Sequence, residues 1–311
     1  MAAAATLATA VALPIVRKRA RLPRAAVLGG AALGPAAAAV LWPRLRGREA
    51  LICALQMHAY VAAYKMPHDD ERLQAARVHI DYPIALDRAL GLGELPTVRL
   101  QRALHVDGSF HALEKTLAWA HWVWFATPHA ALVYLLARDR PRFARAAVMT
   151  YAVFDLGAIA YWVAPTAPPW YAAEQGRLAN GEGPAPVRRL MVEYGEHFWR
   201  DGWTPLYAML GGNPLAAMPS LHFATSTMGA LLLAESGPLA GAIGGAYAAV
   251  LGFALVYLGE HYVVDLLAGL ALTLAIRRGE RRLRAPVRAV GELLERVADY
   301  LDVAGAPAAA G

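Results

Sequence analysis

Hydrophobic positions along the chain gather into long runs rather than short alternations. Six of these, at about 49–65, 117–137, 143–163, 218–235, 237–257 and 261–277, approach or exceed the roughly 18–20 residues that a helix needs to cross a bilayer. They predict an all-α, polytopic membrane bundle with six core transmembrane helices. A further Ala/Gly-rich run at 25–42 is weakly hydrophobic and has arginines on both sides. It predicts either an additional span or an interfacial or irregular segment. Two long connections separate the runs. The first, 66–116, mixes charges with Leu73, Ile80, Ile84, Leu86 and Leu90, the pattern of short amphipathic surface helices. The second, 164–217, is rich in Pro, Gly, Trp and Tyr. Its Trp170, Tyr171, Trp199 and Trp203 suit a headgroup zone. The expected organisation is an N-terminal apolar and basic segment at 1–48, a six-helix membrane domain at 49–284, and a C-terminal cytoplasmic helix with a flexible small-residue tail at 285–311.

Composition agrees with lipid as the solvent. Of the 311 residues, 58% are hydrophobic and 17% charged, against roughly a quarter charged in a soluble domain. The one cysteine, Cys53, lies inside an apolar run, which excludes an internal disulfide framework and a thiolate metal cluster. No cofactor and no metal is expected. The net charge of +6 comes from arginines in short loops. Arg44, Arg46 and Arg48 precede the first core run, Arg138, Arg140, Arg142 and Arg145 join the second and third, and Arg277, Arg278, Arg281, Arg282 and Arg284 follow the last. With six spans all three clusters fall on one side, the cytoplasmic one by the positive-inside rule. A seventh span at 25–42 would put Arg17 to Arg24 outside, which argues against it. No basic face is interleaved with aromatics, so nucleic acid is not an expected partner. In residues 1–16 the apolar run precedes the positive charges, the reverse of a cleavable leader, and none is expected.

Two polar motifs interrupt the apolar pattern where chemistry is expected. Met218-Pro219-Ser220-Leu221-His222 opens one apolar helix, and Gly259-Glu260-His261-Tyr262-Val263-Val264-Asp265 enters the last. His222 and His261 are 39 residues apart, the length of two membrane-crossing helices and a tight link. Both imidazoles are therefore expected on one membrane face. Asp265 follows His261 by one helical turn, where a carboxylate fixes the ring's tautomer and sharpens its second nitrogen as nucleophile or base. Ser220 offers a hydroxyl at a positive helix end that favours anions.

These motifs resemble the type 2 phosphatidic acid phosphatase superfamily, in which Pro-Ser-x-His and a later His-x-x-x-Asp form the site. Pro219-Ser220-Leu221-His222, His261 to Asp265, and the following Leu267-Ala268-Gly269 match in order and spacing over about 143–277. The resemblance implies that His261 attacks phosphorus and becomes a phosphohistidine, that Asp265 orients it, and that His222 acts as general acid and then base. Two family elements are missing. The Lys-x6-Arg-Pro place reads Ala164-Pro165-Thr166-Ala167-Pro168-Pro169-Trp170, and the Ser-Arg place before the second histidine reads Ala254-Leu255. Lys65 and Arg72 have the Lys-x6-Arg spacing but lie two spans too early. Glu260-His261-Tyr262-Val263-Val264-Asp265, and the Pro-Thr-Ala-Pro-Pro segment, look closer to the inositol phosphorylceramide synthase and inositolphosphotransferase-like branch.

The expectation is a lipid phosphotransferase moving a phospho-headgroup, inositol phosphate-like, from a phospholipid donor. A diester needs fewer cations than a monoester, which favours a transferase. The alternative is a phosphatase acting on phosphatidate or a polyprenyl (di)phosphate. A third reading, a haem or metal protein, rests on His58, His121 and His129 as the histidines within spans. Expected site residues are His222, His261 and Asp265 for chemistry, and Ser220, Tyr262 and Arg200 for substrate. Arg177, Arg188, Arg189, Lys65 and Lys115 are further candidate cations. Expected partners are the bilayer and a phospholipid or polyprenyl-phosphate substrate, with the site on the periplasmic face of a bacterial plasma membrane.

Overall fold

The computed structural model describes residues 2–42, 47–106, 108–178 and 187–305. Their regular structure is helical: α1 (Ala2–Val16), α2 (Arg24–Leu41), α3 (Arg48–Lys65), α4 (Glu71–Arg77), α5 (Asp81–Leu90), α6 (Pro96–Leu104), α7 (Ala112–Val123), α8 (Thr127–Arg138), α9 (Arg140–Val163), α10 (Pro169–Glu174), α11 (Leu190–Trp199), α12 (Trp203–Leu210), α13 (Leu221–Ser236), α14 (Pro238–Tyr257) and α15 (Val263–Gly305). Short 3-10 turns sit at Met66–Asp69 and Arg200–Gly202. Extended pairing among the described residues is confined to isolated bridges, His79 with Thr166 and Thr166 with Ala216. The all-α reading stands, and the amphipathic pattern of 66–116 appears as α4, α5 and α6.

The helices α2, α9 and α14 are long and apolar enough to cross a membrane. The 25–42 run, which the arginine count disfavoured as a span, is thus an unbroken helix of spanning length. The six expected core spans are not six continuous apolar helices. α13 has 16 residues, about 24 Å of rise against the ~30 Å of a hydrocarbon core. α3 carries Arg48 and Glu49 at one end and Lys65 at the other.

The run at 117–137 breaks into α7 and α8. Pro128 lacks an N–H, and in a continuous helix its ring would meet the carbonyl of Trp124. The chain answers by tightening: Trp124, Phe125, Ala126 and Thr127 each donate to the carbonyl three residues back.

Two compact units are present, Met1–Asp69 with Arg277–Gly311, and Asp70–Ile276. In the first, α1, α2 and α3 pack on one another, and Arg17 forks onto both carboxylate oxygens of Asp69 at 2.8 and 2.9 Å.

The second unit carries both motifs. α9 and α13 run antiparallel: Tyr161 near the end of α9 donates its hydroxyl to the Pro219 carbonyl at 2.7 Å, and Arg145 near its start pairs with Glu235 at the far end of α13. α13 and α14 form a tight hairpin with Pro238 in the first turn of α14, where its missing donor costs nothing. Close approach there needs glycine, since a Cβ on Gly241 would lie 2.5 Å from the Ala234 Cα. α15 meets the start of α13 in the same way: a Cβ on Gly269 would stand 2.6 Å from the Ser220 carbonyl oxygen.

Candidate active site

Two hydrogen bonds bring the motifs together. The Ser220 N–H donates to the Asp265 carbonyl at 2.9 Å, and one turn deeper the Thr273 hydroxyl donates to the Ala224 carbonyl at 2.9 Å. The loop before α13 is tied down by the Pro-Thr-Ala segment, because Thr166 donates to Leu215 and accepts from Ala217, while Ala167 donates to His79. Where the resembled phosphatases carry cations, this chain therefore has a backbone clip.

His222 lies in the first turn of α13 and His261 in the loop that enters α15. His261 Nε2 is 3.2 Å from His222 Nδ1, and His261 Nδ1 is 3.3 Å from Asp265 Oδ2. A carboxylate accepting from Nδ1–H leaves the Nε2 lone pair facing His222. Asp265 is fully buried, and its Oδ2 also accepts the Tyr262 N–H at 2.9 Å.

A second buried carboxylate supports this turn from α5. Asp87 Oδ1 accepts the Val264 N–H at 3.0 Å, satisfying a donor at the start of α15 that the helix itself cannot. Burial raises the Asp87 carboxyl to about 6, and the neighbouring Asp265 charge adds to the rise.

Around His222 the packing is aromatic. His121 on α7 stacks on it with centroids 5.0 Å apart, and the Trp124 ring centroid is 4.0 Å away. The tightened turn before Pro128 is what places Trp124, whose indole N–H donates to Thr225 Oγ1 at 3.0 Å. His121 is buried, and its Nδ1 has no partner among the described residues. This histidine, noticed in the sequence as a haem candidate, is a neighbour of the His222–His261 pair.

Arg189, rather than Arg200, is tied to the residue that precedes His261. Arg189 forks onto Glu260 through Nε at 2.9 Å and an Nη at 3.1 Å, and its guanidinium lies 3.9 Å from the Trp170 ring centroid. Burial pushes the Glu260 carboxyl up, but Arg189 outweighs it and holds the group below the usual carboxylate range. Glu260 likewise keeps Arg189 charged despite burial. Gln101 fixes the approach: its Nε2 donates to the Arg188 and Tyr257 carbonyls at 2.8 Å each, and its Oε1 accepts the Arg188 N–H at 2.9 Å.

The remaining expected contacts differ. Arg200 is exposed at positive φ (48°), and among the described residues no hydrogen bond or ion pair joins it to His222, His261 or Asp265. The helix α11 ends there, which turns Arg200 outward. Tyr262 is fully buried, packed with Ile84, Leu95, Ala172 and Val187, and serves Asp265 through its backbone N–H rather than as an exposed hydroxyl. Ser220 caps α13, its Oγ accepting the Phe223 N–H at 3.4 Å. Arg177 pairs with Asp81, and Arg188 with Glu193. Lys115 lies in the first turn of α7, and Lys65 belongs to the other unit. Among the described residues no group of three or more His, Cys, Asp or Glu side chains is arranged to hold a metal ion.

The class is set by a helical fold with helices long and apolar enough to cross a membrane and by a His–His–Asp chain where two helix starts meet. Comparison with known proteins fixes the family. Residues 84–278 match the PAP2 superfamily, more than half of the chain, and the chain belongs to that superfamily. Over 191 residues it is 25% identical to the inositol phosphorylceramide synthase catalytic subunit aur1 of Schizosaccharomyces pombe, covering 59% of this chain and 44% of that protein. The chain thus spans less than half the length of this relative. No solved structure matches it.

Proposed function

We propose that the protein is a lipid phosphotransferase that moves a phospho-headgroup from a phosphodiester donor to a hydroxyl acceptor through a phosphohistidine on His261. The observation that carries this reading is the line of contacts Asp265 Oδ2–His261 Nδ1 and His261 Nε2–His222 Nδ1, a nucleophile backed by an acceptor and faced by a proton carrier. In the first step the Nε2 lone pair attacks phosphorus. The P–N bond forms as the bond to the diacylglycerol oxygen breaks, and His222 gives that oxygen its proton. Asp265 stabilises the positive charge that grows on His261. In the second step His222 takes the proton of the acceptor hydroxyl, whose oxygen displaces His261 from phosphorus. The arginines around the α8–α9 turn lie at the far ends of α9 and α13 from the histidines, which by the positive-inside rule favours a periplasmic site in a bacterial cell. The likeness to a phosphorylceramide synthase subunit supports a diester donor such as phosphatidylinositol.

Incubation of purified protein with headgroup-phosphate-labelled phosphatidylinositol and a ceramide acceptor, or a diacylglycerol whose acyl chains differ from the donor's, tests the reading. Label appearing in a new lipid is the expected result. Release of inorganic phosphate from phosphatidate, without any transfer, would make the protein a phosphatase instead, with water in place of the acceptor.

A further inference from the structure

The relay uses His222, His261 and Asp265 and leaves unexplained a partly buried ion pair beside it. Arg189 and Glu260 retain 21% and 10% of their side-chain exposure. The pair is built rather than incidental. Its two hydrogen bonds are bidentate, the geometry in which arginine binds carboxylate most firmly. Trp170 covers the guanidinium face at 3.9 Å. The Arg188 backbone next to Arg189 is clipped to the end of α14 by Gln101, and the Glu260 N–H is held by the Leu255 carbonyl at 3.0 Å. Arg189 therefore cannot swing onto a phosphate without leaving Glu260. The pair is also close enough to matter, since Glu260 precedes His261 in the chain and its charge couples to both His121 and His261.

We propose that Glu260 is a specificity-determining residue, which by neutralising Arg189 beside His261 sets the site for phosphodiesters and against phosphomonoesters. This rests on the diester transferase reading above and names the physical device behind it. A diester carries one negative charge at neutral pH and a monoester approaches two. With Arg189 uncovered, the second charge of a monoester would be attracted. With Glu260 in place that attraction is cancelled, and the dianion pays for its desolvation without return. A unit charge several ångströms away in a partly buried site changes such a preference by roughly tenfold.

The test measures turnover of labelled phosphatidylinositol with phosphatidate as competitor, in mixed micelles of the purified protein. Glu260→Gln keeps the side-chain volume and an acceptor for Arg189 but removes the charge. The ratio of the phosphatidate inhibition constant to the phosphatidylinositol KM is expected to fall roughly tenfold. Arg189→Gln, which exposes Glu260, is expected to raise that ratio by a similar factor. The double variant restores neutrality and is expected to return within about threefold of wild type, an outcome that a merely structural pair does not produce. If Glu260→Gln fails to fold, Arg189→Gln still decides. A ratio equal to wild type in a single variant that folds overturns the proposal. Wild-type protein that hydrolyses phosphatidate and leaves phosphatidylinositol untouched overturns the transferase reading itself.

Discussion

The Nδ1 of His222 and the Nε2 of His261 stand 3.2 Å apart, within hydrogen-bond distance of each other. A phosphoryl group does not fit between nitrogens so close, so substrate entry has to open the pair. His261 is anchored by Asp265, whereas His222 is held by ring stacking on His121 and a tilted ring contact with Trp124. His222 is thus the ring expected to turn, keeping its proton directed at the leaving oxygen. His222→Ala is predicted to lower turnover by roughly 10²–10⁴-fold, the worth of a positioned proton carrier, as read by steady-state transfer kinetics.

Asp265→Asn is predicted to lower turnover by a comparable factor of roughly 10²–10⁴ while the protein stays folded. An asparagine oxygen can still accept the Tyr262 N–H, but the negative charge that stabilises the His261 imidazolium is gone. Turnover together with thermal unfolding of the same preparation checks this. A variant that keeps wild-type turnover would exclude the assigned role.

Asp87 gives a pH-dependent prediction. Its carboxyl is raised to about 6 from an ordinary 3.8, by burial first and the Asp265 charge second. A raised acid is at no disadvantage in the fold below the unfolded pKa. Its ionisation then works against the fold increasingly between about pH 4 and 6, and fully above, by about 3 kcal/mol. Asp87→Asn keeps an acceptor for the Val264 N–H and removes that penalty. Its melting temperature should match wild type near pH 4 and exceed it at pH 8, and a gain confined to low pH would contradict this account.

Gly269 lets α15 approach the start of α13. Gly269→Val would drive its Cβ toward the Ser220 carbonyl, 2.6 Å away, and is predicted to destabilise by about 1–3 kcal/mol. It should also separate the two histidine motifs, so activity falls at temperatures where the protein remains folded. A melting scan and an assay on one preparation test both effects.

Helix content and the meeting of the two histidines could be read from the chain, because run length and a 39-residue spacing across a hairpin are one-dimensional signals. The break at Pro128 was also written in the sequence, but the apolar composition on both sides masked it. The number of spans was less legible: α13 is apolar yet short, and the 25–42 run is long yet only weakly hydrophobic. Arg189 and Arg200 look alike in sequence. They are separated by which side chain meets Glu260 and Trp170, a matter of three-dimensional packing. Asp87 and Gln101 read as polar positions of amphipathic surface helices, yet both are buried, where they satisfy the backbone near α14 and α15.

The most direct test of the mechanism is to quench the wild type and the His222→Ala and His261→Ala variants with ³²P-labelled donor and identify the labelled residue. The account predicts acid-labile, base-stable label on His261 in wild type, accumulation of that label in His222→Ala with a donor that has a good leaving group, and none in His261→Ala. Label on another residue, or turnover undiminished in His261→Ala, would contradict it.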